Sequence, residues 1–159
     1  MKLLLLAVGK ARGAVGEAVA GYEARLRHYF AFESIEVKEE PYRREGDAAR
    51  VRDEEGKRLL AKVPAGAELV ALHEAGKQWT SEQLARYLSD LALRAGPGAA
   101  FALGGAYGLA DEVLRRAGHT LSLSAMTLPH ELARLVLTEQ LYRAGTIARG
   151  EPYHKGREP

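Results

Sequence analysis

An α/β domain with a mainly parallel sheet and helices on both faces is the fold this sequence predicts, and three observations predict it. Strand-like and helix-like segments alternate from one end of the 159 residues to the other, the pattern of helices wrapped over a parallel sheet. The first strand candidate, Leu3 to Gly9, is a continuous apolar run rather than an alternating one, as expected where both faces of a strand are covered. Loops follow the strand-like runs ending at Leu72, Leu103 and Leu123, at the strand ends where such sheets open a ligand crevice. The length fits a single domain, residues 1–159, large enough to bury a core without disulfides or metals.

Each element has its own warrant. After Leu3–Gly9, the spacing of Val15, Val19, Tyr22, Leu26 and Tyr29 predicts a helix from residue 15 to about 30. Phe32 to Val37 alternates as a strand, and the charged stretch from Lys38 to Gly46, broken by Pro41, is a surface loop. Asp47 to Lys62 is helical, with Ala48, Val51, Leu59 and Leu60 inward, and stops before Pro64 and Gly66. Glu68 to Leu72 is the third strand. Thr80 with Gln83 opens a capping box for a helix to about Ala95, and Gly96, Pro97 and Gly98 force a turn. Ala99 to Leu103 is the fourth strand, Asp111 to Ala117 a short helix, and His119 to Leu123 the fifth strand. A long helix follows Pro129, with Thr127 as its expected cap and Leu132, Leu135, Val136, Leu137, Leu141 and Ile147 as a broad buried stripe.

Composition excludes several classes. There is no cysteine, hence no disulfide framework and no thiolate zinc site. The opening apolar run, Leu3 to Val8, is too short for an export signal or a membrane span, so a cytoplasmic protein is expected. Walker A, H-E-x-x-H and G-x-S-x-G sequences are missing, and the glycines of Gly104 to Gly108 lack dinucleotide spacing. Neither a metal nor a nucleoside triphosphate is implied. The net charge of +2 hides an uneven distribution: residues 1–30 carry five Lys/Arg against two Glu, residues 134–159 five against three, and the middle is acidic. A polyanion could be met by a surface built from both termini.

The chemistry-bearing stretch is Leu121 to Lys155. His130, Arg134, Glu139 and Arg143 ride on its helix, and Tyr153, His154 and Lys155 follow Gly150 and Pro152. Taken singly, each has a bland explanation, such as a helix ion pair between Glu139 and Arg143.

Four segments carry a family resemblance: the opening K-L-x-L-x-A-V-G-K, the Gly76, Lys77 and Trp79 of G-K-x-W, the G-G-x-x-G-L of Gly104 to Leu109, and the final L-S-L-S-x-M-T-L-P-H … E-Q-L-Y-R-A … P-Y-H-K. Together they span essentially the whole chain, which resembles the RlmH (YbeA-like) family of SPOUT methyltransferases. The resemblance implies a C-terminal trefoil knot and a homodimer, neither of which follows from the strand and helix pattern. It implies methylation of N3 of a pseudouridine in large-subunit (23S) ribosomal RNA, with S-adenosyl-L-methionine as donor. A chain this small has no separate RNA-binding domain, so a large preassembled target, the assembled ribosome, is the expected substrate and partner. The donor is then expected against Leu72, Gly104, Leu123, Ser124, Ala125, Met126, Thr127 and Leu128. His154, Tyr153 and Arg143 become candidate catalytic residues at the acceptor base. His130, Arg134, Glu139 and Lys155 become substrate-binding candidates, Arg134 and Lys155 through phosphate and Glu139 by orienting Arg143. A non-catalytic ribosome-binding protein using the same basic ends is the competing hypothesis.

Overall fold

The structure, a computed structural model, describes residues 1–155. It contains β1 (Lys2–Val8), α1 (Gly13–Leu26), β2 (Ala31–Val37), α2 (Ala48–Leu60), β3 (Glu68–Gln78), α3 (Ser81–Ala92), β4 (Ala99–Ala102), α4 (Asp111–Arg116), β5 (His119–Ser122) and α5 (His130–Ala148). The strands form one sheet in the order β2-β1-β4-β3-β5, and every strand pairing in it is parallel.

The continuous apolar run of β1 is explained by two cores. Leu3, Leu5 and Ala7 face a cluster with Leu26 of α1, Leu84 and Leu88 of α3, and Leu137 and Leu141 of α5. Leu4, Leu6 and Val8 face the other way, onto Leu59 of α2 and Val113 of α4. Since successive side chains of a strand point to opposite faces, both sets must be apolar to cover a sheet clad on each side. The capping box also forms: Thr80 Oγ1 accepts from the Gln83 backbone N–H, and Gln83 Oε1 accepts from that of Thr80.

Four expectations need correction. β3 does not end at Leu72. It swings outward over residues 73–76 and rejoins β5, so that Leu121 is registered against both Leu72 and Lys77. The first helix ends at Leu26, where Arg27–Tyr29 turn toward β2. Thr127 does not cap α5; Pro129 occupies that position, and the Thr127 hydroxyl donates instead to Glu74 Oε2 at 2.8 Å. Finally, Leu132 and Val136 are 40% and 38% exposed: α5 packs on α1 and α3 together, which covers two sides of the helix and leaves this third strip open.

Among the described residues no helix is long and apolar enough to cross a membrane.

Candidate active site

The loops predicted to carry the site do converge. The 73–76 excursion of β3, the Gly104–Gly108 turn after β4 and the segment leading from β5 into α5 enclose a cavity of about 700 Å³, a size suited to a nucleoside-like ligand. Leucines supply much of its wall: Leu72, Leu103, Leu109, Leu121, Leu123 and Leu128. Its polar groups are His73, Glu74, Tyr107, Ser124, Thr127 and His130, together with loop backbone. Among the described residues no lysine or arginine lines it. A polyphosphate would find no counter-charge there, whereas a neutral nucleoside or a cation beside the Glu74 carboxylate would be accommodated.

Backbone packing explains the glycine at the centre of this site. A Cβ on Gly104 would lie 2.4 Å from the Gly108 carbonyl carbon and 2.8 Å from the Leu109 nitrogen. The turn folds back on itself too closely for any side chain, and so brings its backbone to the cavity wall.

Of the residues expected to bind the donor, Leu72, Gly104, Leu123, Ser124, Met126, Thr127 and Leu128 all line this cavity, while Ala125 is exposed and stands off its wall. His130, expected at the substrate, lines it too. His73, Glu74 and Tyr107 are cavity residues outside the expected donor contacts, and their adjacency to Leu72 and Gly104 in the sequence was the available signal; Leu109, the last position of the G-G-x-x-G-L motif, lines the cavity as well.

A second cluster forms at the far end of α5. Glu139 Oε1 accepts from Arg143 Nε at 3.0 Å, from Arg143 Nη2 at 2.6 Å and from the Tyr153 hydroxyl at 3.0 Å. The Arg143 guanidinium also lies 4.8 Å from the centre of the Tyr153 ring. Its Nη1 is 3.2 Å from His154 Nδ1, and His154 Nε2 is 2.8 Å from Glu82 Oε1. A guanidinium can only donate. His154 Nδ1 therefore accepts, and Nε2 keeps its proton and donates to Glu82. The hydrogen bond from His154 holds the Glu82 carboxyl below its usual range, and Glu139 pushes the Arg143 guanidinium above its own. Burial, with hydrogen bonding to Glu139 among the further causes, raises the Tyr153 phenol well above the usual tyrosine range, so it remains a proton donor at neutral pH.

The tail is fixed within one chain. The Tyr29 hydroxyl donates to Glu151 Oε2, Arg149 Nη2 donates to the His28 carbonyl, and Gly145 allows Tyr29 to approach α5 so closely that a Cβ there would lie 2.7 Å from the ring. Lys155 is exposed at the last described position.

Arg134 departs from its expected phosphate-binding role. It is 5% exposed, its Nη2 is 3.1 Å from Glu23 Oε1 and donates to Ser34 Oγ at 2.9 Å, and its Nη1 lies 3.7 Å from Glu36. The guanidinium ties α5 to α1 and β2. Its position on the inward side of the helix, one turn from Thr138 and Leu137, is what the charge count could not reveal.

The two clusters are apart. From His130 to Arg143, α5 climbs at ~1.5 Å per residue, about 20 Å in all.

This site and fold define a class. A family model described as "Predicted SPOUT methyltransferase" matches residues 1–154, and the chain belongs to the SPOUT methyltransferases. Proteins named "Ribosomal RNA large subunit methyltransferase H" align with it almost end to end, and it is within their branch that the chain falls. The one from Syntrophotalea carbinolica is 48% identical over 97% of this chain and 99% of its own, and that from Gemmatimonas aurantiaca 49% identical over 98% and 100%. Among solved structures, a Legionella pneumophila protein with bound S-adenosylmethionine superposes with a TM-score of 0.52 at 18% identity, covering 91% of this chain and 66% of that one. A Bordetella pertussis protein gives 0.53 at 16% identity over 89% and 95%. At such identities these two establish the shared fold.

Proposed function

We propose that this chain methylates N3 of a pseudouridine in large-subunit ribosomal RNA, on the assembled ribosome in the cytoplasm, acting as one domain and in pairs of identical copies. Its donor is S-adenosyl-L-methionine. The observation that carries this conclusion is the cavity between residues 73–76, Gly104–Gly108 and Leu121–Ala133: nucleoside-sized, leucine-walled, closed on one side by the glycine-rich turn and, among the described residues, lined by no lysine or arginine. Leu72, Leu123 and Leu128 would hold the adenine ring, the Gly104 turn and the Ser124–Thr127 loop its polar edges, and Glu74 lies where a positive charge is favoured. The donor supplies, when bound, an electrophilic methyl group on a cationic sulfur.

The chain's own residues then have two tasks, positioning the acceptor and favouring its deprotonated form, because N3 of a uracil-like base carries a proton at neutral pH. Arg143, locked by Glu139 and always charged, is suited to stabilise the anion. Tyr153, kept protonated, can donate to a carbonyl of the base. His154, with Nδ1 turned to Arg143 and Nε2–H to Glu82, fixes the guanidinium in place, and Lys155 is free to reach phosphate.

Pairing of two copies is supported by the ~20 Å that α5 puts between His130 and Arg143, since a second copy could bring its tail to a cavity set apart from this chain's own. The exposed Leu132 and Val136, with Met126 at 78% exposure beside the cavity, provide an apolar surface for it. The trefoil knot belongs to the same proposal, supported by the way the segment after β5 shares a cavity with both earlier loops.

The test compares full-length protein with a chain ended after Gly150. Full-length protein is expected to bind the donor in the micromolar range (~8 kcal/mol) and to methylate whole ribosomes far better than free RNA fragments. The shortened chain should keep its donor affinity, since every cavity residue remains, and lose methyl transfer. Unchanged turnover without the tail would refute the assignment of the acceptor site, and absence of donor binding would refute the function.

A further inference from the structure

The rim of the cavity carries a feature that reaches outside it. Tyr107, on the rim of the cavity, is stacked against Tyr42 of the loop between β2 and α2, with ring centres 5.2 Å apart and an interplanar angle of 21°. Both rings are solvent-facing, at 41% and 45% exposure. A stacked pair of tyrosines left open to water is unusual for a purely structural contact, which gains most from burial.

The loop that carries Tyr42 is rigidly built. The Asp47 carboxylate accepts from the Arg43 backbone N–H at 3.0 Å and holds Arg50 at 2.6 Å. Arg50 also donates to the Pro41 carbonyl at 2.7 Å, and the Gly46 N–H donates to the Tyr42 hydroxyl at 3.1 Å. Asp47 and Glu40 are occupied by Arg50 and Arg58. Arg43, Arg44 and Arg52 are left without a carboxylate partner among the described residues; the first two are exposed, and Arg52 Nη1 lies 3.5 Å from the Tyr107 carbonyl.

We infer that Tyr42 and Tyr107, flanked by Arg43, Arg44 and Arg52, form a stacking platform for an RNA nucleotide next to the one being methylated. This rests on the proposed function and specifies where the RNA strand runs from the acceptor. Splayed, single-stranded RNA is gripped by aromatic faces for its bases and by arginines for its phosphates, and this patch offers both at the lip of the donor cavity. An exposed ring held by its own hydroxyl presents a face without having to be ordered on binding, which favours affinity.

The experiment measures methylation of whole ribosomes, donor affinity by calorimetry, and the footprint of the protein on ribosomal RNA, for wild type, Tyr42→Leu, Tyr42→Phe and the double variant Arg43→Ala with Arg44→Ala. Activity of the wild type is the control for the proposed function: if it fails, that reading fails before the platform is tested. With it active, Tyr42→Leu is expected to raise KM for ribosomes about fivefold or more, in keeping with the loss of one base stack, while kcat, donor affinity and melting temperature stay close to wild type. Tyr42→Phe keeps the ring face but loses the Gly46 contact of the hydroxyl, and should restore most of the KM. The double variant should flatten the salt dependence of ribosome binding by about two phosphate contacts. Wild-type KM in Tyr42→Leu overturns the proposal. A weakened donor affinity in that variant would make the pair a wall of the donor cavity instead, and a raised KM with an unchanged RNA footprint would mean that a ribosomal protein is the partner; either result overturns it as well.

Discussion

Replacing Gly104 with alanine is the sharpest test of the donor cavity. Gly104 does not adopt a positive φ, so backbone conformation by itself does not demand glycine here. The geometry gives a different reason: the added methyl would point at backbone, 2.4 Å from the Gly108 carbonyl carbon and 2.6 Å from its oxygen. Ordinary contact begins near ~3.5 Å, so the Gly104–Gly108 turn must open by roughly 1 Å, and no side chain can swing aside to avoid it. Overpacking of this kind costs about 1–3 kcal/mol. The free protein relieves it by displacing the turn, and donor binding must then restore the turn, so the same energy reappears as a loss of affinity of roughly 5- to 150-fold. Calorimetric titration of Gly104→Ala with S-adenosylmethionine, beside a thermal melt, reads both quantities. A variant that binds the donor as tightly as wild type would show that the turn does not line the donor site, and the cavity assignment would fall with it.

Two other outcomes are expected. Arg134→Met leaves Glu23 and Glu36 facing an apolar side chain; removing one partner of a buried ion pair costs about 3–5 kcal/mol, roughly 6–20 °C in melting temperature for a chain of this size, with donor affinity moving far less than stability. The Tyr29 phenol, hydrogen-bonded to Glu151, is pushed up to about 12 from the usual 10, so its hold on the tail is complete below pH 10 and is lost as pH rises toward about 12; difference absorbance between wild type and Tyr29→Phe should isolate a phenol titrating in that interval, with release of the tail over the same range.

Much of this architecture was legible in the residues because β1, the capping box at Thr80 and the Gly96–Gly98 turn are local signals, each deciding its own conformation. The loops that line the cavity were legible for a related reason: parallel strands end at one edge, so Leu72, Gly104 and Leu123 had to be neighbours once the strands were found. What failed was anything set by a partner distant in sequence. The inward turn of Arg134 depends on Glu23 and Ser34, the exposure of Leu132 and Val136 on which two helices flank α5, and the true role of Thr127 on Glu74 across the 73–76 excursion. The Tyr42–Tyr107 stack belongs with these, since nothing near either tyrosine announces the other.

The position of α5 has a consequence for how the molecule is made. Its buried face completes the core that α1 and α3 begin, and Arg134 reaches a glutamate 111 residues earlier in the chain. Contacts of such long range form slowly, because the intervening loop must close before any of them contributes. While the chain is being synthesised, the apolar sides of α1 and α3 have nothing to cover them until residues 130–148 emerge, and an incomplete chain remains open to aggregation or proteolysis throughout that interval. A product cut short anywhere before α5 therefore lacks the face that closes this core, and the order of translation makes the last long helix the step on which the whole interior waits.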